Sequence, residues 1–212
     1  MKTMLVSLIL TLSLPTLAAT RPGGGRPETA KPKTNSAALV AEKVNELNTY
    51  MRDGMGLKSQ IEAPKEMSET EQASFVAKLG ELQDALKNNS TKFTSSEAKL
   101  KVDSLLESYN SALTSRSSFK SSFDSLTDAS AKEAAREIIE LIDNGPKIIE
   151  AKVSETGEAL VSEGLILMTF SKIAESVDKT NLSAKEILDI KKELERPFEN
   201  ERWTLQDIAR CR

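Results

Sequence analysis

Between Ala98 and Leu126 the chain keeps one spacing almost without interruption. Ala98, Val102, Leu105, Tyr109, Ala112, Arg116, Phe119, Phe123 and Leu126 follow at steps of four and three. An α-helix turns once in about 3.6 residues, so these side chains fall on one stripe along a single long helix. A strand, with its period of two, would scatter them over both faces. Heptad spacing sustained this far predicts coiled-coil-like packing against a second apolar stripe. Arg116 is the one charged residue on the seam, and the expectation is that its long stem snorkels out to water. Residues 111–125 carry seven serines. Serine competes for backbone hydrogen bonds, so a weak turn or a break is expected there.

The neighbouring segments read the same way. Val40, Val44, Leu47 and Met51 form one stripe, and Phe75, Leu79, Leu82 and Leu86 another. A third comprises Ala134, Ile138, Leu141 and Ile142, and a last one Ile187, Ile190 and Leu194. Gly54-Met55-Gly56 interrupts the first, and Pro64 closes a short segment around Leu57–Ile61. Four stretches match the reciprocal capping box, in which a hydroxyl and a glutamate three residues on satisfy each other's backbone N–H. They begin at Ser68, Thr94, Ser130 and Ser183. Asn144-Gly145-Pro146 should stop one helix and start the next, with Pro146 in the first turn. From there one helix is expected to reach about Val177, with Gly157 and Gly164 on one side for a close neighbour and a dense apolar patch at Leu165–Phe170. The fold class predicted is all-α: an elongated helical bundle with coiled-coil-like helices, following a disordered N-terminal tether.

The ends differ from this body. Residues 1–18 combine Lys2, an uncharged run Met4–Leu14, Pro15 and a small-residue site ending at Ala18, the layout of a signal peptide. The apolar run would cover about 16 Å as helix, too short for a bilayer core of roughly 30 Å. Residues 19–35 hold three prolines, three glycines and a net charge of +3, with nothing large and apolar to bury. They read as a flexible basic linker. Residues 36–195, the bundle, carry 20 basic and 28 acidic side chains, net −8. DNA binding needs a concentrated basic face, so no nucleic-acid partner is expected.

Residues 196–212 form a tail holding Trp203, the single tryptophan, with Phe198, Arg202, Leu205 and Ile208. Two readings are open: the tail folds back on the bundle with Trp203 as anchor, or these residues form a docking peptide, since Trp and Arg are enriched at binding hot spots. Cys211 is the only cysteine, available to join two chains or to remain a free thiol. Glycosylation sequons begin at Asn88, Asn89 and Asn181.

Chemistry finds little foothold in this pattern. With no histidine, Ser-His-Asp catalysis and Glu-x-x-His di-iron sites are excluded. Glu133, Glu137 and Glu140 share a helix face, as Glu155, Glu158 and Glu163 could in part, and both sets read as solvated. Asp143-Asn144-Gly145 is too short for a calcium loop. Ser96-x-x-Lys99 and Ser117-x-x-Lys120 have the spacing of penicillin-binding enzymes but lack their companion elements. No catalytic residue, cofactor or metal is predicted.

The sequence therefore predicts a non-catalytic helical protein, exported to the periplasm or the cell exterior. It would act through contact with another protein, as a binding, chaperone-like or envelope structural module. Self-association through helix 98–126 is an added expectation. The alternative is a membrane-active protein that resembles, in outline only, the α-helical pore-forming toxins, with Leu165–Phe170 entering lipid.

Overall fold

A computed structural model describes residues 36–154, 163–176 and 181–210. The leader and linker expected at 1–18 and 19–35 lie outside the described residues, as do Gly157, Val177 and Cys211. The fold is all-α: helices α1 (Ser36–Thr49), α2 (Glu69–Asn88), α3 (Ser96–Ser125), α4 (Ala129–Asp143), α5 (Gly145–Val153), α6 (Glu163–Ala174), α7 (Ala184–Glu195) and α8 (Leu205–Ala209). No strand occurs among the described residues.

α3 is the axis of the packing. It lies mainly against α6 and α4 and also touches α5, while α1 packs on α2, α2 on α5, and α7 and α8 on α4. The predicted stripe supplies the buried face: Val102, Leu105, Tyr109, Ala112 and Phe119 are all in the core. Each large side chain so buried contributes roughly 1.5–3 kcal/mol. The seam thus finds its partner helices within the same chain.

The serine-rich stretch does not break α3, which runs unbroken from Ser96 to Ser125. Its hydroxyls are absorbed: those of Ser111, Ser122 and Ser125 donate to carbonyls one turn back in the helix. Ser115 and Ser122, a heptad apart and fully buried, also reach across. The Ser115 hydroxyl donates to the Ile173 carbonyl of α6 at 2.9 Å, and Ser122 Oγ accepts the Leu182 N–H at 2.8 Å. Small side chains here let α6 approach closely, which turns a poor helix composition into an interface.

Two capping boxes fall where expected, at Ser68 with Glu71 and at Ser183 with Glu186. Two predicted boxes do not form. α3 is capped by Ser95 rather than Thr94, because Ser95 is the extended residue (φ −77°, ψ 151°) while Thr94 is already helical. α4 begins before Ser130: Asp128 is extended, and its carboxylate accepts the Ala131 N–H at 2.7 Å. Pro146 sits in the first turn of α5 as predicted, but α5 is capped at Ser154, so the single helix expected up to Val177 is described as two, α5 and α6.

After α1 the backbone widens into a π turn, Tyr50–Met55, and closes at Gly56, whose φ of 70° suits only glycine comfortably. The following segment, 57–67, is an extended strap rather than helix. Leu57, Ser59 and Ile61 are buried and the residues between them exposed, the alternation of an extended chain with one side against the core. Side chains of α1 and α3 hold its backbone. Asp103 accepts the N–H groups of Lys58 and Ser59, both at 3.0 Å. Asn48 donates to the Ile61 carbonyl at 2.9 Å and accepts its N–H at 2.8 Å. Asn110 clamps Gln60 and Glu62 in the same two-sided manner.

Candidate functional site

Two places gather the polar and aromatic groups singled out by sequence: the middle of α3 and the C-terminal corner. In the first, Arg116 does not snorkel to solvent; it is 2% exposed. Its Nε and Nη2 donate to the two oxygens of Asp143 at 2.7 and 2.9 Å, a bidentate pair. Nη2 also donates to Glu71 at 2.8 Å, and Nη1 to the Glu66 carbonyl. Lys120 adds a second cation 3.3 Å from Glu71, and Lys78 donates to the Asp143 carbonyl at 3.0 Å. The cluster ties the strap, α2, α3 and the end of α4 at one point. Buried charge is tolerated only when paired, so the seam position chosen by periodicity needs partners from distant segments.

Electrostatics follow the geometry. Partial burial pushes the Glu71 carboxyl upward, but hydrogen bonds from the Ser68 N–H and hydroxyl, the Arg116 charge and Lys120 outweigh it and hold it down to about 2. Burial works against the Arg116 cation, yet Asp143 and Glu71 raise its pKa further. Lys78 is lowered by burial, partly opposed by Asp143 and Glu140. Tyr109, fully buried beside this cluster, is raised well above the ordinary phenol range, first by burial and then by the Asp143 charge. No hydrogen-bond partner for its hydroxyl is present among the described residues.

The face Glu133, Glu137 and Glu140 is not uniformly solvated, contrary to the sequence reading. Glu137 is 7% exposed, because α7 and α8 cover it; it pairs with Lys191 and accepts from Gln206 at 3.3 Å. The Glu137 and Glu195 charges more than offset the burial that disfavours the Lys191 cation. Glu133 pairs with Arg136 on the exposed side. Of the Ser-x-x-Lys spacings, Lys120 turns to Glu71. Asn89 is engaged as a cap, its amide donating to the Ala85 carbonyl at 2.9 Å, whereas Asn88 and Asn181 are exposed.

At the C-terminal end the five predicted residues separate into two groups. Phe198, Leu205 and Ile208 are buried, as parts of a 3-10 turn (Arg196–Glu201) on α7 and of α8 on α4. Trp203 is half-buried and stacks on Phe198, with ring centroids 6.0 Å apart and planes at 8°. Arg202 is exposed and adopts a left-handed conformation, φ 56°, which ends the 3-10 turn. Its own N–H donates to the Glu199 carbonyl at 3.2 Å and that of Trp203 to Phe198 at 3.3 Å. A capping box that sequence reading missed, Thr204 with Asp207, starts α8. Its signal was present as Thr-x-x-Asp, in a helix too short to show a stripe.

The apolar patch Leu165–Phe170 lies on α6 against α3. Ile166 and Phe170 are buried, with the Phe170 ring 5.4 Å from that of Tyr109, and Met168 is exposed. No helix among the described residues is long and apolar enough to cross a membrane. The chain matches no protein-family model, no curated protein and no solved structure.

Proposed function

We propose that this is an exported, non-catalytic helical protein that acts by contact with another protein, and that the contact centres on Arg202 and the outer face of Trp203. The carrying observation is the corner itself. An aromatic stacked on a buried ring, next to an exposed arginine, presents the two side-chain types that dominate binding hot spots on a rigid base. Phe198, Leu205 and Ile208 then serve as the foundation of the contact rather than its surface. The layout of residues 1–18 supports export to the periplasm or the cell exterior.

The non-catalytic reading is supported by the way the fold uses its buried ions. Asp103 holds the strap, Arg116 is paired with Glu71 and Asp143, and Glu137 with Lys191. These groups are engaged in holding segments together.

The test is crosslinking in the native compartment with the full chain and two point variants, Arg202→Glu and Trp203→Ala. A partner captured by the parent and lost from both variants, at unchanged melting temperature, supports the proposal. The same partners in all three would overturn it. Deleting 197–212 is a poor substitute, because it strips Phe198, Leu205 and Ile208 from the core.

A further inference from the structure

We propose that the cleft between α2 and α4 is a binding site, independent of the Trp203 corner, that captures a small apolar aldehyde as an imine on Lys78.

The cleft has a volume of about 300 Å³, at the small end of ligand pockets. Phe75 of α2, buried, and Ile139 of α4, half-buried, give it apolar walls. Thr70, Ser74 and Lys78 follow one another at steps of four along α2, so one helix face brings two hydroxyls and an amine to the cleft. Lys78 is half-buried, and its Nζ donates to the Asp143 carbonyl at 3.0 Å. On the α4 side stands Glu140, whose charge acts on Lys78. Its carboxylate makes no hydrogen bond or ion pair among the described residues. Arg136, the other cation at the cleft, is engaged by Glu133.

This arrangement suits a nucleophilic amine. Burial, with the Lys147 charge, lowers the Lys78 pKa against the opposing charges of Asp143, Glu140 and Glu81, so more of the neutral amine is present than on an exposed lysine. A neutral amine can leave one N–H on the Asp143 carbonyl while its lone pair attacks. Addition to the aldehyde carbon gives a carbinolamine, and loss of its hydroxyl gives the C=N bond. The two N–H protons leave with the aldehyde oxygen as one water, and no oxidant or reductant is consumed. Glu140 is the group that carries each proton from nitrogen to oxygen. The imine is uncharged, which suits a nitrogen whose charge burial already disfavours. Carbon dioxide would instead leave a carbamate, an anion beside Glu140.

The probe is hexanal, added to the full chain at neutral pH with cyanoborohydride to reduce each imine, and the adducts are located by peptide mass. Lys78 should be alkylated about tenfold faster than Lys101, whose side chain is 57% exposed. Acetaldehyde should show no such preference, since it leaves the apolar walls unfilled. Lys78→Arg keeps a donor for the Asp143 carbonyl and should lose the fast adduct at unchanged melting temperature. Glu140→Gln should slow alkylation of Lys78 about tenfold, even though removing that charge favours the free amine. Uniform labelling of Lys78 and Lys101, or a fast adduct that survives Lys78→Arg, would overturn the proposal. An equal preference with acetaldehyde would overturn it too, leaving a reactive amine without a binding cleft. Faster labelling in Glu140→Gln would overturn the role given to that carboxylate.

Discussion

The ring of Tyr109 occupies the space in which any side chain on Gly145 would have to sit. A Cβ built on Gly145 would lie 1.9 Å from Tyr109 Cε2, far inside contact distance. Helix propensity alone favours alanine over glycine by at most about 1 kcal/mol. Overpacking a rigid buried ring costs about 1–3 kcal/mol or more, so the clash decides the sign. Gly145→Ala should lower stability in urea unfolding, and Tyr109→Leu in the same chain should recover part of the loss. Additive losses would show that the two positions do not share that space.

Arg116 should be the least replaceable side chain of α3. Removing it leaves the Asp143 and Glu71 carboxylates facing a largely dry junction, which predicts a loss of about 3–5 kcal/mol for Arg116→Met. Arg116→Lys should rescue little, since an ammonium cannot make the two-point contact with Asp143. Denaturant midpoints of both variants check this; a loss below about 1 kcal/mol for Arg116→Met would mark the cluster as energetically idle.

Glu71 should give the protein an acid limb. Its carboxyl is held at about 2 in the fold, against 4.5 when free. A depressed carboxylate stabilises the fold fully above its unfolded value, and that contribution is lost as pH falls from about 4.5 through about 2. The full shift corresponds to roughly 3 kcal/mol, and partial solvent access brings this nearer 1–2 kcal/mol. Urea midpoints recorded across that range should fall for the parent and fall less for Glu71→Gln. Parallel curves would contradict the assignment.

Docking of the C-terminal segment can be read by fluorescence, because Trp203 is the only tryptophan. Phe198→Ala empties a fully buried position and removes the stacking partner, with an expected cost of about 3–5 kcal/mol. The Trp203 emission should shift to the red in that variant before global unfolding is seen by circular dichroism. Emission that stays blue until the helices melt would mean that Phe198 does not hold Trp203.

The helices were legible because their signals are local. Ser68-x-x-Glu71 and Ser183-x-x-Glu186 carry their own partners within four residues, and the α3 stripe announces its burial by spacing alone. Where two candidate caps compete, as at Thr94 and Ser95, or at Asp128 and Ser130, backbone conformation decides, and spacing does not encode it. Arg116 failed for a different reason. Its charge made it look like an outlier on an apolar seam, while the residues that answer the charge lie 45 and 27 positions away. Glu137 shows the same limit: helical periodicity placed it beside Glu133 and Glu140, but its covering comes from α7 and α8. At the C-terminus, composition picked out the right segment but could not separate Arg202 and Trp203 at the surface from Phe198, Leu205 and Ile208 beneath.

The strap between α1 and α2 is gripped by its amides: Asp103, Asn48 and Asn110 all bind main-chain groups of residues 58–62. Such a grip is indifferent to the identity of the outward-facing residues, so positions 58, 60 and 62 are free to vary in size and charge without loosening it. Proline is the exception. At Ser59 or Ile61 it would erase the very N–H that the clamp holds, and release the crossing on which the placement of α2 depends.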